Sequence, residues 1–263
     1  MKTRLIVFGG SVIFFSLLTL LWFSPELFKE KPPEPTGLPI KMARYYWPGY
    51  YWMEIADAKG WFKDAGLNIQ LIDANPDYFA SLNDVVAGKT DTSPFTLFDQ
   101  IKFNLKGADL VMVLALDHSF GADGIIAKPS ITEISKLKGQ RIGVSRETYS
   151  EYILATVLKQ ESLSLKDVTL IDMPSEKTLE AFLSDKIDAF ISWEPYLNQA
   201  LEKGGIKLFD TSQIPGISPE GLVFHRAFIE KRRGDVDAII KVWHRTTIFI
   251  QEHPDDAFGI IAS

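Results

Sequence analysis

The sequence predicts an α/β protein of two doubly wound lobes around a hinged cleft, preceded by an N-terminal transmembrane helix. Three observations predict it. Strand-like and helix-like patterns alternate from Ile40 onward, as expected for parallel sheets covered by helices. The alternation occurs twice, with a period near 100 residues. The chain also opens with a 19-residue uncharged stretch behind a short basic start.

That stretch, Leu5 to Phe23, follows Met1-Lys2-Thr3-Arg4 and ends in Leu-Trp-Phe-Ser-Pro, without the small-residue site of a cleaved signal peptide. It is about long enough to span a ~30 Å hydrocarbon core. Lys2 and Arg4 keep the N-terminus cytoplasmic, so residues 1–23 read as a signal anchor that exports the rest, with a cleaved signal peptide as the alternative. Residues 24–38 are Pro-rich and polar, which suits a semi-rigid tether.

The first βαβαβ copy reads as a strand at Ile40–Tyr46, a helix at Tyr50–Ala65 stopped by Gly66, and a strand at Asn68–Asp73. A helix at Tyr78–Ala87 closed by Gly88 and a strand near Asp91–Ser93 complete it. The second copy places strands at Gln140–Ser145, Val168–Asp172 and Asp188–Ser192, with helices at Ser150–Glu161 and Glu176–Leu183. Leu71-Ile72-Asp73 recurs as Leu170-Ile171-Asp172, 99 residues on, and Lys89-Thr90-Asp91 recurs as Lys186-Ile187-Asp188, 97 residues on. A period this long marks two repeated lobes rather than a solenoid. The apolar run Leu110–Leu116 is expected to be a central strand. Gly124–Lys128 is expected to cross into the second lobe and Gly221–His225 to return. Asp235–Glu252 is an amphipathic helix with Val236, Ile239, Ile240, Trp243, Thr247 and Ile250 on one face. The expected division is therefore 39–127 plus 224–263 for lobe 1, left incomplete at its C-terminus, and 128–223 for lobe 2.

Composition excludes several functions. Net charge is −6 with no basic run, which sets nucleic acid aside. Cysteine is absent, so disulfides, Cys-based metal sites and a lipoprotein anchor are excluded. There is no Gly-rich phosphate loop, HExxH pair or Gly-x-Ser-x-Gly elbow, and the four histidines are scattered. No catalytic residue, cofactor or metal is expected.

Ligands of open α/β sheets sit outside the carboxyl ends of the strands. That rule selects Trp47 and Tyr50 after the first strand, Thr148 and Tyr149 at the equivalent loop, and Ser93, Trp193 and Glu194 after the third strands. It also selects Asp117, Ser119 and Asp123 after the apolar strand. Trp47 and Tyr50 are assigned to the cleft and the neighbouring aromatics to packing. Glu194 either caps the next helix or contacts ligand; Asp117, Ser119 and Asp123 either bond ligand donors or make turns. Thr148 can cap a helix whose free N–H groups face the cleft.

Several stretches carry a family resemblance. Trp47-Pro48-Gly49-Tyr50 and Lys59-Gly60-Trp61-Phe62-Lys63-Asp64-Ala65-Gly66-Leu67 come first. Leu116-Asp117, Ser119 and Gly121-Ala122-Asp123 follow, then Leu137-Lys138-Gly139-Gln140-Arg141-Ile142-Gly143-Val144. Asp188-Ala189-Phe190-Ile191-Ser192-Trp193-Glu194-Pro195-Tyr196 and His253-Pro254-Asp255-Asp256-Ala257 complete the set. In this order the chain resembles the periplasmic solute-binding proteins of nitrate, sulfonate, taurine and thiamine-precursor ABC importers. The resemblance implies a type II periplasmic-binding fold, capture of a small-molecule ligand between lobes, and delivery to a membrane permease driven by a separate ATPase, on the outer face of the cytoplasmic membrane. The same module occurs as the outer domain of membrane sensors, and a few relatives are thiamine-pyrimidine enzymes that use a Cys-rich segment, which this chain lacks. Carboxylates outnumber cations in the selected loops, where Arg146 alone opposes Asp117, Asp123, Glu147 and Glu194. A neutral or cationic ligand with an aromatic ring, such as a pyrimidine, is therefore expected over a simple anion.

Overall fold

The computed structural model describes residues 37–45, 47–74 and 78–262. The expected anchor at 1–23 and most of the tether lie outside the described residues. Among the described residues no helix is long and apolar enough to cross a membrane.

The first strand, β1 (Ile40–Arg44), buries Ile40 and Met42 and exposes Lys41, the two-residue period of a pleated strand. A 3-10 turn at Pro48–Tyr50 leads into α1 (Trp52–Ala58) and α2 (Trp61–Asp64). The single helix expected over Tyr50–Ala65 is thus two. Gly60 sits between them at φ 70°, a left-handed conformation that ends a helix and suits glycine. The chain continues through β2 (Ile69–Asp73), α3 (Tyr78–Val86), β3 (Thr92–Thr96), α4 (Leu97–Leu105) and β4 (Leu110–His118). The second copy runs β5 (Asp123–Ala127), β6 (Arg141–Val144), α5 (Tyr149–Gln160), β7 (Thr169–Asp172), α6 (Thr178–Leu183), β8 (Ala189–Trp193), α7 (Tyr196–Glu202) and β9 (Ile206–Asp210). Finally come β10 (Pro219–His225), α8 (Arg226–Lys231), α9 (Arg233–Glu252) and α10 (Pro254–Ile261).

Two five-stranded sheets result, in the orders β2-β1-β3-β10-β4 and β7-β6-β8-β5-β9. The repeat is visible in their shared plan. Each sheet pairs three parallel strands, and an antiparallel strand then separates the third from the last. The antiparallel strands are the two that enter from the other half. The chain therefore changes sheet over residues 119–122 and 211–218, ahead of the expected Gly124–Lys128 and Gly221–His225. Those apolar segments do not cross; β5 is buried throughout and β10 along most of its length, each as an interior strand second from the edge of the sheet it joins. That placement pushes β4 to an edge, where its apolar run is only partly buried, and corrects the expectation of a central strand.

The two crossings are fastened to each other. Ser119 Oγ lies 2.7 Å from Thr211 Oγ1, Gly121 N–H donates to the same Thr211 oxygen at 2.8 Å, and Ser119 N–H donates to Ser218 O at 3.1 Å. The long helix α9 packs on α1. Its deepest residues are Val236, Ile239, Val242 and Thr246, while Ile240, Trp243 and Ile250 pack at the margin of that stripe.

One packing site is unusually tight. A Cβ at Gly221 of β10 would fall 2.4 Å from Leu114 O and 2.4 Å from Met112 Sδ. Gly221→Ala is expected to cost about 1–3 kcal/mol, read as a lower urea midpoint, because the main chain of β4 must move to admit the methyl group.

Candidate functional site

The parallel strands of both sheets direct their carboxyl ends to the junction between the halves, and aromatic side chains meet there. Tyr45, Trp47, Tyr50 and Tyr78 come from the first half and Tyr149 and Trp193 from the second. With Thr96 and Glu220 they line one small cavity. All six rings are buried. Trp193 lies 6.1 Å from Tyr45, 6.4 Å from Tyr78 and 6.4 Å from Tyr149, the last pair stacked. Tyr45 meets Tyr78 edge-on at 5.7 Å, and Trp47 meets Tyr50 at 6.4 Å. These spacings fall in the favourable range for aromatic pairs. The space between them is about 20 Å³, room for about one water, so the halves are drawn together over the rings.

Four of the six rings are held by a carboxylate. Trp47 Nε1–H donates to Asp117 Oδ2 at 2.9 Å, Tyr149 O–H to Asp123 Oδ1 at 3.0 Å and Tyr45 O–H to Glu176 Oε1 at 2.6 Å. Tyr50 O–H donates to Glu220 Oε2. Asp99, in the first turn of α4, accepts from Thr96 Oγ1 at 2.7 Å and from Tyr149 N–H at 3.2 Å. This last bond crosses from one half to the other, as do Tyr45–Glu176 and the stacked Phe98–Tyr152 pair at 5.0 Å.

Burial dominates the electrostatics, because a low-dielectric surrounding disfavours the charged form. It raises Asp99 to about 7 and Asp123 to about 6, against the lowering effect of their hydrogen bonds. It raises Glu220 well above the usual carboxylate range, with Asp117 adding to the effect, and raises Asp117 despite the Trp47 bond. The phenols of Tyr50, Tyr78 and Tyr149 are raised for the same reason.

A larger cavity of about 410 Å³ lies beside this one, lined by Asp99, Lys102, Arg146, Glu147, Thr148 and Asp172 among others. Its lysines are engaged internally. Lys102 and Lys106 each reach Glu147 Oε2 at 3.0 Å and hold that carboxyl at about 2.

Of the residues singled out from sequence, Trp47, Tyr50, Tyr149 and Trp193 line the aromatic cavity. Asp117 and Asp123 stand behind its rings. Thr148 caps α5, accepting from Ser150 N–H at 3.2 Å, and faces the larger cavity. Ser119 fastens the crossings. Ser93 is buried inside β3, which runs on to Thr96 rather than ending at Ser93. Pro94 is tolerated there because β1 pairs with β3 only through Met42 and Thr92, so its missing N–H interrupts no ladder. Glu194 Oε2 accepts from Asn198 N–H at 3.1 Å, the capping alternative. Tyr45, Tyr78, Thr96 and Glu220 line the cavity without having been selected. Glu220 is the second residue of β10, an antiparallel strand whose amino end lies beside the carboxyl ends of β3 and β4, opposite Thr96 and Asp117. Asp123 opens β5 opposite Trp193 in the same way.

The geometry has clear relatives. The chain is 28% identical over 212 residues to an aliphatic sulfonates-binding protein of Bacillus subtilis, covering 77% of this chain and 63% of that protein. It is 27% identical over 258 residues to a thiamine biosynthesis protein of Haemophilus influenzae, covering 94% of this chain and 77% of that one. The chain thus spans less than two thirds of the Bacillus relative. Its fold matches the periplasmic aliphatic sulphonate binding protein of Escherichia coli, with TM-score 0.72 at 19% identity over 86% of this chain and 78% of that one. It matches the nitrate-binding protein of Synechocystis, with TM-score 0.72 at 12% identity over 88% and 67%. The fold is therefore that of the α/β periplasmic binding proteins. The family described as NMT1/THI5 like matches residues 47–257, and the chain belongs to that family.

Proposed function

We propose that this protein is the extracytoplasmic substrate-binding component of an ABC importer and captures a small organic solute between its two halves. The observation that carries the reading is the joint construction of the aromatic cavity: four of its rings come from one half and two from the other. Closure of the halves therefore builds the site, and opening them exposes it, the mechanics of a hinged binding protein. The relatives named for sulfonate binding support a transport role. Residues 5–23 would tether the protein to the membrane, beside a permease and its ATPase. The cavity lining holds no His, Ser or Lys among the described residues, and this favours binding over the biosynthetic activity in the name of the Haemophilus relative.

The test is a thermal-shift screen with alkanesulfonates, taurine, nitrate, aminopyrimidines and small organic cations. A bound solute stabilises the folded chain by mass action. At least one compound is expected to raise the melting temperature, and Trp47→Ala, checked for folding by circular dichroism, is expected to abolish that rise. No shift with any compound, or a shift that survives in Trp47→Ala, would overturn the reading.

A further inference from the structure

We infer that the solute held in the aromatic cavity is a compact organic cation, an ammonium or a protonated nitrogen heterocycle, rather than a sulfonate or other anion. The inference rests on the proposed binding role and adds the charge of what is bound.

Four observations point the same way. First, six of the eight lining residues are aromatic, and the negative potential of ring faces attracts a desolvated cation. Second, among the described residues the only carboxylate or cation in the lining is Glu220, which is buried and has Tyr50 as its hydrogen-bond donor. Third, Asp117, Asp123 and Asp99 stand behind the rings, and none of these four carboxylates makes an ion pair among the described residues. Their donors are an indole, two phenols, a hydroxyl and a backbone N–H group, all neutral. Lys102 acts on Asp99 and the His118 ring on Asp117 only through space, without an ion pair. Asp117 Oδ1 and Asp123 Oδ2 are buried without any partner, and Asp123 is 1% exposed. A concentration of buried acceptors without a cation is costly, and a bound cation would offset that cost. Fourth, the means of holding an anion are already used. The N-terminus of α5 gives its Tyr149 N–H to Asp99 and its Ser150 N–H to Thr148, and Lys102 and Lys106 are engaged by Glu147. An anion entering here would meet carboxylates in place of donors.

A cation also changes the protonation of the site. Its charge favours the ionised carboxylates, so binding releases protons and tightens as the pH rises; an anion would take protons up and bind better in acid.

The test is calorimetric titration of the whole chain with paired probes: choline against its neutral carbon isostere dimethylbutanol, aminopyridinium against aniline, and taurine and nitrate as anions. One cation is expected to bind at least about tenfold tighter than its neutral isostere, with proton release seen as a binding heat that depends on the buffer. Choline binding would place recognition on the ring faces, since it has no N–H, whereas aminopyridinium binding alone would place it on an N–H bond to Glu220. Glu220→Gln is expected to reduce the cation preference at least about tenfold. Asp117→Asn, at a less buried position, serves if Glu220→Gln does not fold. Equal binding of cation and isostere, proton uptake on binding, or binding of taurine or nitrate alone would overturn the inference. If an anion binds and Trp47→Ala abolishes it, the cavity remains the binding site and only its charge preference falls. If no probe binds, both readings fall.

Discussion

Asp99→Asn is expected to stabilise the ligand-free protein at neutral and alkaline pH, on the order of 2–4 kcal/mol. Burial raises the Asp99 carboxyl from 3.8 to about 7. A carboxyl with a raised folded pKa binds protons more tightly folded than unfolded, so stability falls as the pH climbs. The penalty is absent below the unfolded value near 3.8, grows through the interval, and is complete above about 7. The substituted amide carries no such charge and keeps an oxygen for the Tyr149 N–H. The two proteins should therefore have similar urea midpoints in acid and diverge as the pH rises, the variant being the more stable. A variant less stable at every pH would show that Asp99 contributes more through its hydrogen bonds than its burial costs. A wild type whose ligand-free stability declines toward alkaline pH is the companion result, since Asp123, raised to about 6, acts with the same sign.

Trp193→Ala should be the most damaging single change at the site. The ring is 3% exposed and touches Tyr45, Tyr78, Tyr149 and Tyr196. Truncating a buried Trp typically costs about 3–5 kcal/mol, read as a shift of the denaturant midpoint. Binding should suffer separately, because Trp193 and Tyr149 are the rings that the second half brings to the cavity. A loss of at least about 30-fold in affinity corresponds to about 2 kcal/mol, within reach of several lost ring contacts. Trp193→Phe should recover most of the stability and part of the affinity. Unchanged affinity in a folded Trp193→Ala protein would move the site elsewhere.

Much of this was legible in the chain. The repeat of Leu71-Ile72-Asp73 in Leu170-Ile171-Asp172 is the repeat of β2 in β7, the strands that pair with β1 and β6. Alternating patterns report a strand's burial because side chains alternate across a sheet. Glycine stops were readable for the same local reason: Gly66 and Gly88 take left-handed conformations at φ 74° and 71°. Trp47, Tyr50, Tyr149 and Trp193 were selected because each lies at the carboxyl end of a parallel strand or in the turn that follows.

What escaped was everything that depends on which strand enters between which others. An apolar run such as Leu110–Leu116 is compatible with a centre or an edge, and the insertion of β10 makes it an edge. Glu220 and Asp123 lie at the amino ends of antiparallel strands, so a rule about carboxyl ends does not lead to Glu220, and it reached Asp123 only as part of the loop after the apolar strand. By itself, then, the sequence determined the alternating elements, their repetition and the aromatic turns, because these follow from short-range periodicity and backbone chirality. Only the tertiary structure decided that each sheet admits a strand from the other half. That exchange brings Glu220, Asp123 and Asp117 behind or beside the cleft aromatics and sets one buried cluster of carboxylates against one cage of rings.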